Sequence, residues 1–155
     1  MKTKTILLAL AALFAAAAVC FAADDVNLGT WKLNEGKSKL SPGTGKNTSV
    51  VYAAAGDSVK VTVDGVAADG KPAHNEWTGK FDGKDYPVTG DPNSDTRAYT
   101  RVGKHSLSMT VKKGDKVTAT GKIVVASDGK TRTVSVHGTD ASGKEMQVTA
   151  VYDKQ

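Results

Sequence analysis

The sequence predicts an all-β protein: a single antiparallel up-and-down barrel of about eight to ten strands, behind an N-terminal signal helix. Three observations predict it. Apolar residues recur with period two, as in Val59, Val61 and Val63, in Leu107, Met109 and Val111, and in Met146, Val148, Ala150 and Tyr152. That is the pattern of a strand with one face on a core and one in water. Turn residues recur between these runs, among them Asp69-Gly70-Lys71, Asp82-Gly83-Lys84, Gly114-Asp115 and Asp128-Gly129-Lys130. Finally, no segment after the leader carries the 3.6-residue period of an amphipathic helix.

The leader comes first. Lys2 and Lys4 precede an apolar stretch from Ile6 to Val19, which is short for a membrane span. Cys20-Phe21-Ala22 then offers a cleavage site before Ala23. Residues 1–22 therefore read as a cleaved signal peptide and residues 23–155 as one barrel domain, periplasmic or secreted. The alternative is a lipoprotein signal acylated at Cys20, although Val19 stands where that signal wants a small residue. Cys20 is the sole cysteine, so the mature chain has no disulfide, thiolate ligand or thiol nucleophile to draw on. Two of the charges behind the formal +5, Lys2 and Lys4, leave with the leader. The remaining lysines mix with aspartates at turns, which excludes the basic stripe a nucleic-acid binder needs. No second long apolar stretch follows, so the expectation is a soluble monomer without stable membrane insertion.

The strands read as 28–33, 47–54, 58–67, 73–81, 84–88, 96–102, 105–112, 116–126, 131–138 and 145–153. Asp-Gly pairs suit tight hairpins in which both central residues take positive φ. Sequential hairpins without long crossovers favour a closed barrel over the alternative, a β-sandwich, because closure removes the sheet edges. Pro87 cannot donate to a ladder, which places the fifth strand at an edge, bulge or gap. Val117 falls on one face with Ala119, Gly121, Ile123 and Val125. The inward positions are light in aromatics and heavy in Val, Ala and Thr, which leaves space for a ligand.

The candidate ligand-binding residues follow from strand phase. Trp31, in phase with Leu33, reads as core at the barrel base. Trp77 shares a face with Phe81 and Met109 one with Leu107, so both read as core or cavity wall. Tyr86 and Tyr152 point inward by phase, where each hydroxyl needs a partner. Arg132 is in phase with Val134 and Val136, and so inward, but sits near a strand end where a rim arginine also reaches water. On the sixth strand Ala98, Thr100 and Val102 make the better inner face, which puts Arg97, Tyr99 and Arg101 outside.

Enzyme chemistry finds no foothold. His74, His105 and His137 fall on different strands, and His74 with Glu76 reads as a solvated outer face. No nucleophile elbow, Walker loop or dinucleotide fingerprint is present, so no catalytic residue, cofactor or metal is expected. Asp91, Asn93 and Asp95 begin like a calcium loop, lack its later ligands, and read as a turn.

Gly29-Thr30-Trp31-Lys32-Leu33 resembles the first strand of the fatty-acid-binding proteins and the Gly-x-Trp opening of lipocalins. Val148 to Lys154 resembles the last strand of that calycin superfamily, where an Arg-x-Tyr pair holds a ligand carboxylate. The resemblance covers the two end strands. It implies a barrel around an internal cavity, here exported, that carries a small hydrophobic or amphipathic molecule. The chain departs from the pattern in three ways, the first being its secretion signal, which the intracellular fatty-acid-binding proteins lack. Ala150 stands where the family's Arg would be, so that Tyr152 alone carries over and Arg132 is the candidate cation. The segment from Asn34 to Lys46 is too short for the family's two-helix lid. The alternative function is a filled barrel or sandwich that serves as a structural or interaction module of the cell envelope.

Overall fold

The structure, a computed structural model, describes residues 25–140 and 142–155. The leader and its cleavage site lie outside the described residues. Ten strands follow in order: β1 (Gly29–Leu33), β2 (Lys46–Ala55), β3 (Ser58–Val66), β4 (Pro72–Gly79), β5 (Tyr86–Thr89), β6 (Thr96–Gly103), β7 (Ser106–Lys113), β8 (Lys116–Val125), β9 (Thr131–Thr139) and β10 (Glu145–Lys154). Each pairs antiparallel with its neighbours in sequence, and β1 pairs with β10, so the meander closes into a barrel. The all-β fold and its closed up-and-down topology of ten strands are as the alternation predicts.

The connection from β1 to β2 holds one 3-10 turn, Glu35–Lys37, capped by the Asn34 side chain, which accepts a bond from the Lys37 N–H. It holds no two-helix lid. β5 is four residues long and meets β4 and β6 through two residue pairs each, with Pro87 inside it. The ladder is thinnest where the residue without an N–H sits.

The turns correct one expectation. Among the described residues no non-glycine takes positive φ. In the Asp-Gly-Lys turns only the glycine does: Gly70 at 84°, Gly83 at 80° and Gly129 at 70°. The aspartate instead accepts the lysine N–H two residues on, at Asp69, Asp82 and Asp128. The repeated tripeptide is thus a side-chain-capped turn, in which the carboxylate stands in for a backbone acceptor.

Two bulges correct the phase reading. Between Val111↔Ala119 and Lys112↔Val117 the β7–β8 register slips by one residue. A one-residue slip turns every side chain beyond it to the other face. Val117 therefore shares the face of Lys112 and is 48 % exposed, not inward with Ala119. A second slip, between Arg101 and Gly103, expels Val102, which is 56 % exposed.

Inside, hydrogen-bonded neighbours form oblique rows across the wall. Tyr99, Met109, Gly121, Val136 and Val148 are successive partners from β6 to β10. A second row runs Val125, Arg132, Tyr152 and Leu33. The interior is richer in aromatics than the sequence reading expects. Trp31, Tyr52, Trp77, Tyr99 and Tyr152 are all buried in one cluster with Leu107, Ile123 and several valines. The 25–28 segment crosses the β1 end of the barrel, where the Trp31 indole donates to the Asn27 carbonyl at 2.8 Å. The Asp25 carboxylate there pairs with Arg101, whose guanidinium lies 5.2 Å from the Phe81 ring centre.

Candidate functional site

Among the described residues the interior holds two buried guanidiniums, Arg132 and Arg97, both packed against one aromatic cluster. Arg132 enters from the first turn of β9, as the phase with Val134 and Val136 indicates, and is 2 % exposed rather than snorkelling at the rim. Register makes Val125 and Tyr152 its cross-strand neighbours. Its guanidinium carbon lies 4.7 Å from the Tyr52 ring centre, 5.1 Å from that of Tyr152 and 5.3 Å from that of Trp31. Such contacts contribute about 0.5–2 kcal/mol each. They leave the donors unmet, because Nε and Nη1 of Arg132 are buried without a hydrogen-bond partner. Among the described residues no carboxylate pairs with Arg132 within 4 Å.

Arg97 corrects the sequence reading of β6. It is 8 % exposed and Tyr99 is 2 % exposed, while Thr100 faces water. Ala98 is buried as well, so the first half of the strand shows no alternation, and the bulge at Val102 scrambles its second half. Arg101 is exposed, as expected. The Arg97 Nη1 approaches the Tyr99 hydroxyl at 3.5 Å, its Nη2 lies 3.8 Å from Asp91, and its Nε has no partner. Its backbone carbonyl accepts the Trp77 indole N–H at 2.8 Å. Burial works against the charge on Arg97, but Tyr99, Tyr52 and Asp91 beside it work for it, and the charged form is favoured.

Tyr52 packs under Arg132, and Phe81 connects it to Tyr99 beside Arg97. Burial pushes the Tyr52 hydroxyl pKa far up, Tyr99 beside it adds to the rise, and Arg132 and then Arg97 pull it back. Its ring lies 6.5 Å from Phe81, which stacks on Trp77. Tyr152 is pushed up by burial too, against the pull of Arg132, and its hydroxyl donates to the Asn47 carbonyl at 3.2 Å. Both phenols therefore stay neutral at physiological pH and supply no counter-charge.

The sequence-derived residues thus fall into two groups. Arg132 and Tyr152 are direct neighbours. Trp77, Tyr86 and Met109 lie on the other side of the cluster, with Tyr99 between Trp77 and Met109: its ring is 4.8 Å from Trp77, and it pairs with Met109. Tyr86 is half-buried, with its ring edge-on to Trp77 at 5.7 Å and its hydroxyl outside, donating to Asp82. It is a rim residue, not an interior head-group contact. Sequence reasoning missed Tyr52, Arg97 and Tyr99. The signal for Tyr52 was its phase with Val50, which is also buried.

A cleft of about 670 Å³ lies at the opposite end from the 25–28 segment, lined by residues 116–120, 137–139 and 145–147. It is open to solvent, and none of Arg132, Tyr152, Trp77, Tyr86 or Met109 lines it. His74 sits outside, its Nδ1 2.6 Å from Asp64 and its Nε2 3.9 Å from Glu76, with all three solvated. The 91–95 segment is a turn: the Asp91 carboxylate accepts from the Asn93 N–H and the Ser94 hydroxyl. Among the described residues no cluster of three His, Cys, Asp or Glu could hold a metal, and no helix is long and apolar enough to cross a membrane.

No family model and no curated protein matches the chain. Several solved structures resemble it, two of them β-barrels bound to DFHBI. EF1p2_mFAP2b bound to DFHBI is 14 % identical, with 84 % of this chain and 94 % of that one covered, at a TM-score of 0.46. The redesigned β-barrel mFAP1 bound to DFHBI is 16 % identical, with 83 % and 95 % covered, at 0.42. Both likenesses are too distant to bear on what this chain binds.

Proposed function

We propose that this chain is an exported, monomeric β-barrel that binds a small amphipathic molecule with an acidic head group, held inside by Arg132 and Tyr152. One observation carries the reading. A guanidinium is buried among three aromatic rings, two of its nitrogens lack an acceptor, and no carboxylate is nearby. A buried charge in that state is costly, by several kcal/mol, unless something anionic completes it. Trp77 and Met109 would form the apolar wall beside the bound molecule. Export is supported by the leader sequence. Amino-terminal sequencing should find Ala23 first, and an intact Met1 on the mature protein would overturn it.

The test is titration with a fluorescent fatty acid. The wild type should bind it saturably, and Arg132→Ala should weaken binding roughly ten- to a hundredfold, since a charge-assisted hydrogen bond contributes about 1.5–3 kcal/mol. Absence of saturable binding would overturn the acidic-ligand reading. The second reading, a filled barrel that serves the cell envelope as a structural or interaction module, is favoured by the aromatic cluster that occupies the interior and by the openness of the 670 Å³ cleft. It predicts no ligand, and an Arg132→Ala protein that differs only in stability.

A further inference from the structure

We infer that the interior is built for a tetrahedral oxyanion, the head group of a phosphate monoester rather than a carboxylate, held between Arg132 and Arg97. The inference rests on the acidic-ligand reading and narrows its head group. It starts from a count of donors. Three buried guanidinium nitrogens lack acceptors: Nε and Nη1 of Arg132 and Nε of Arg97. The two side chains belong to one neighbourhood. Arg132 packs on the Tyr52 ring, Arg97 reaches the Tyr99 hydroxyl, and the Tyr52 and Tyr99 rings both pack against Phe81, with centres 6.5 and 5.9 Å from its own. The tilt of barrel strands allows residues of β6 and β9, far apart along the wall, to meet across the interior.

The charge balance points the same way. Asp91 is the carboxylate nearest Arg97, but at 3.8 Å it is beyond hydrogen-bond reach, and its oxygens already serve the Asn93 N–H and the Ser94 hydroxyl. Arg132 has no carboxylate at all within ion-pair distance among the described residues, and the buried phenols remain neutral. A carboxylate brings two oxygens and one charge to this place. A phosphate monoester brings three terminal oxygens and up to two charges, which matches three vacant donors on two cations. Guanidinium forks suit that geometry.

The experiment is a competition titration at pH 8 with dodecyl phosphate, methyl dodecyl phosphate, dodecanoate and inorganic phosphate, on the wild type, Arg97→Gln and Arg97→Lys. Dodecyl phosphate should bind about tenfold or more tighter than dodecanoate, the gain of one charge-assisted hydrogen bond. The methyl ester, with one charge and two terminal oxygens, should lose most of that advantage. Arg97→Gln should bring the ratio of the two affinities to about one, and Arg97→Lys should keep part of it, because an ammonium restores charge without the fork. Equal affinity of dodecyl phosphate and dodecanoate for the wild type overturns the phosphate inference and leaves the acidic-ligand reading standing. Binding of neither overturns both. Inorganic phosphate competing as well as dodecyl phosphate supports the oxyanion site and overturns the amphipathic ligand. If Arg97→Gln fails to fold by circular dichroism, the ester comparison on the wild type decides.

Discussion

The two buried arginines differ in how they are held. Arg132 is wrapped by the faces of Trp31, Tyr52 and Tyr152 and touches no polar acceptor through Nε or Nη1. Arg97 is held at its edges, by the Tyr99 hydroxyl and the nearby Asp91. Ring faces offset the charge of a guanidinium but cannot satisfy its N–H groups, whereas edge contacts satisfy some donors and cost less to maintain. Arg132 is therefore the strained member of the pair and the one that most needs a ligand. Arg97, nearer polar groups of the chain itself, is the assistant.

The largest way to break this contrast is Trp31→Ala. It removes a fully buried indole, its bond to the Asn27 carbonyl, and one of the faces on Arg132. The expected loss is about 3–5 kcal/mol in denaturant melts. A loss below about 1 kcal/mol would place Trp31 outside the load path of the fold.

Arginine-to-methionine exchanges compare the two directly. Arg132→Met deletes a buried charge with vacant donors, so the protein should become more stable by about 1–2 kcal/mol while it loses acidic ligands. Arg97→Met also removes contacts to Tyr99 and Asp91, and should be neutral or destabilising by about 1 kcal/mol. Equal effects from urea midpoints would dissolve the distinction.

Alkaline pH sharpens it from the phenol side. The folded pKa values of Tyr52 and Tyr152 are raised, chiefly by burial. The unfolded chain releases those protons first, so stability is complete below about pH 10 and falls as pH rises above it, by at most about 1.4 kcal/mol per pH unit for each phenol. Tyr152→Phe should flatten the slope by up to one such share. An unchanged slope would mean that Tyr152 titrates freely in the fold.

The smallest effect belongs to Asp91. Asp91→Asn keeps the shape of the turn but removes the charge facing Arg97, and should cost about 0.5–1 kcal/mol. It should also tighten binding of an anionic amphiphile, because Arg97 is left with less negative charge nearby. Weaker binding would show that Asp91 positions Arg97 rather than competing for it.

The fold was legible because alternation is strong on most strands. On β9 and β10 the valines, Met146 and Tyr152 keep an unbroken period, and Arg132 could be placed inside from phase alone. On β6 the same reasoning put Arg97 outside. Ala98 is buried beside Arg97 and Tyr99, and the bulge at Val102 sends a valine to solvent, so hydrophobicity ceased to report direction. Val117 failed for the same reason, one residue short of the β7–β8 slip. The adjacency of Arg132 and Tyr152 is a matter of register, which alternation within a strand does not carry. The grouping of Tyr52 under Arg132 with Tyr99 beside Arg97, around Phe81, depends on how the barrel closes, and no local pattern encodes it.

The central claim, that the buried Arg132 is completed by an anionic ligand, is tested most directly by native mass spectrometry of the exported protein alongside its Arg132→Met variant. The account predicts that the wild type carries a non-covalent adduct, which collision releases as an anion, and that the variant flies bare. A bare wild type that also fails to retain added dodecyl phosphate or dodecanoate would contradict the account and leave Arg132 as a structural charge of a filled barrel.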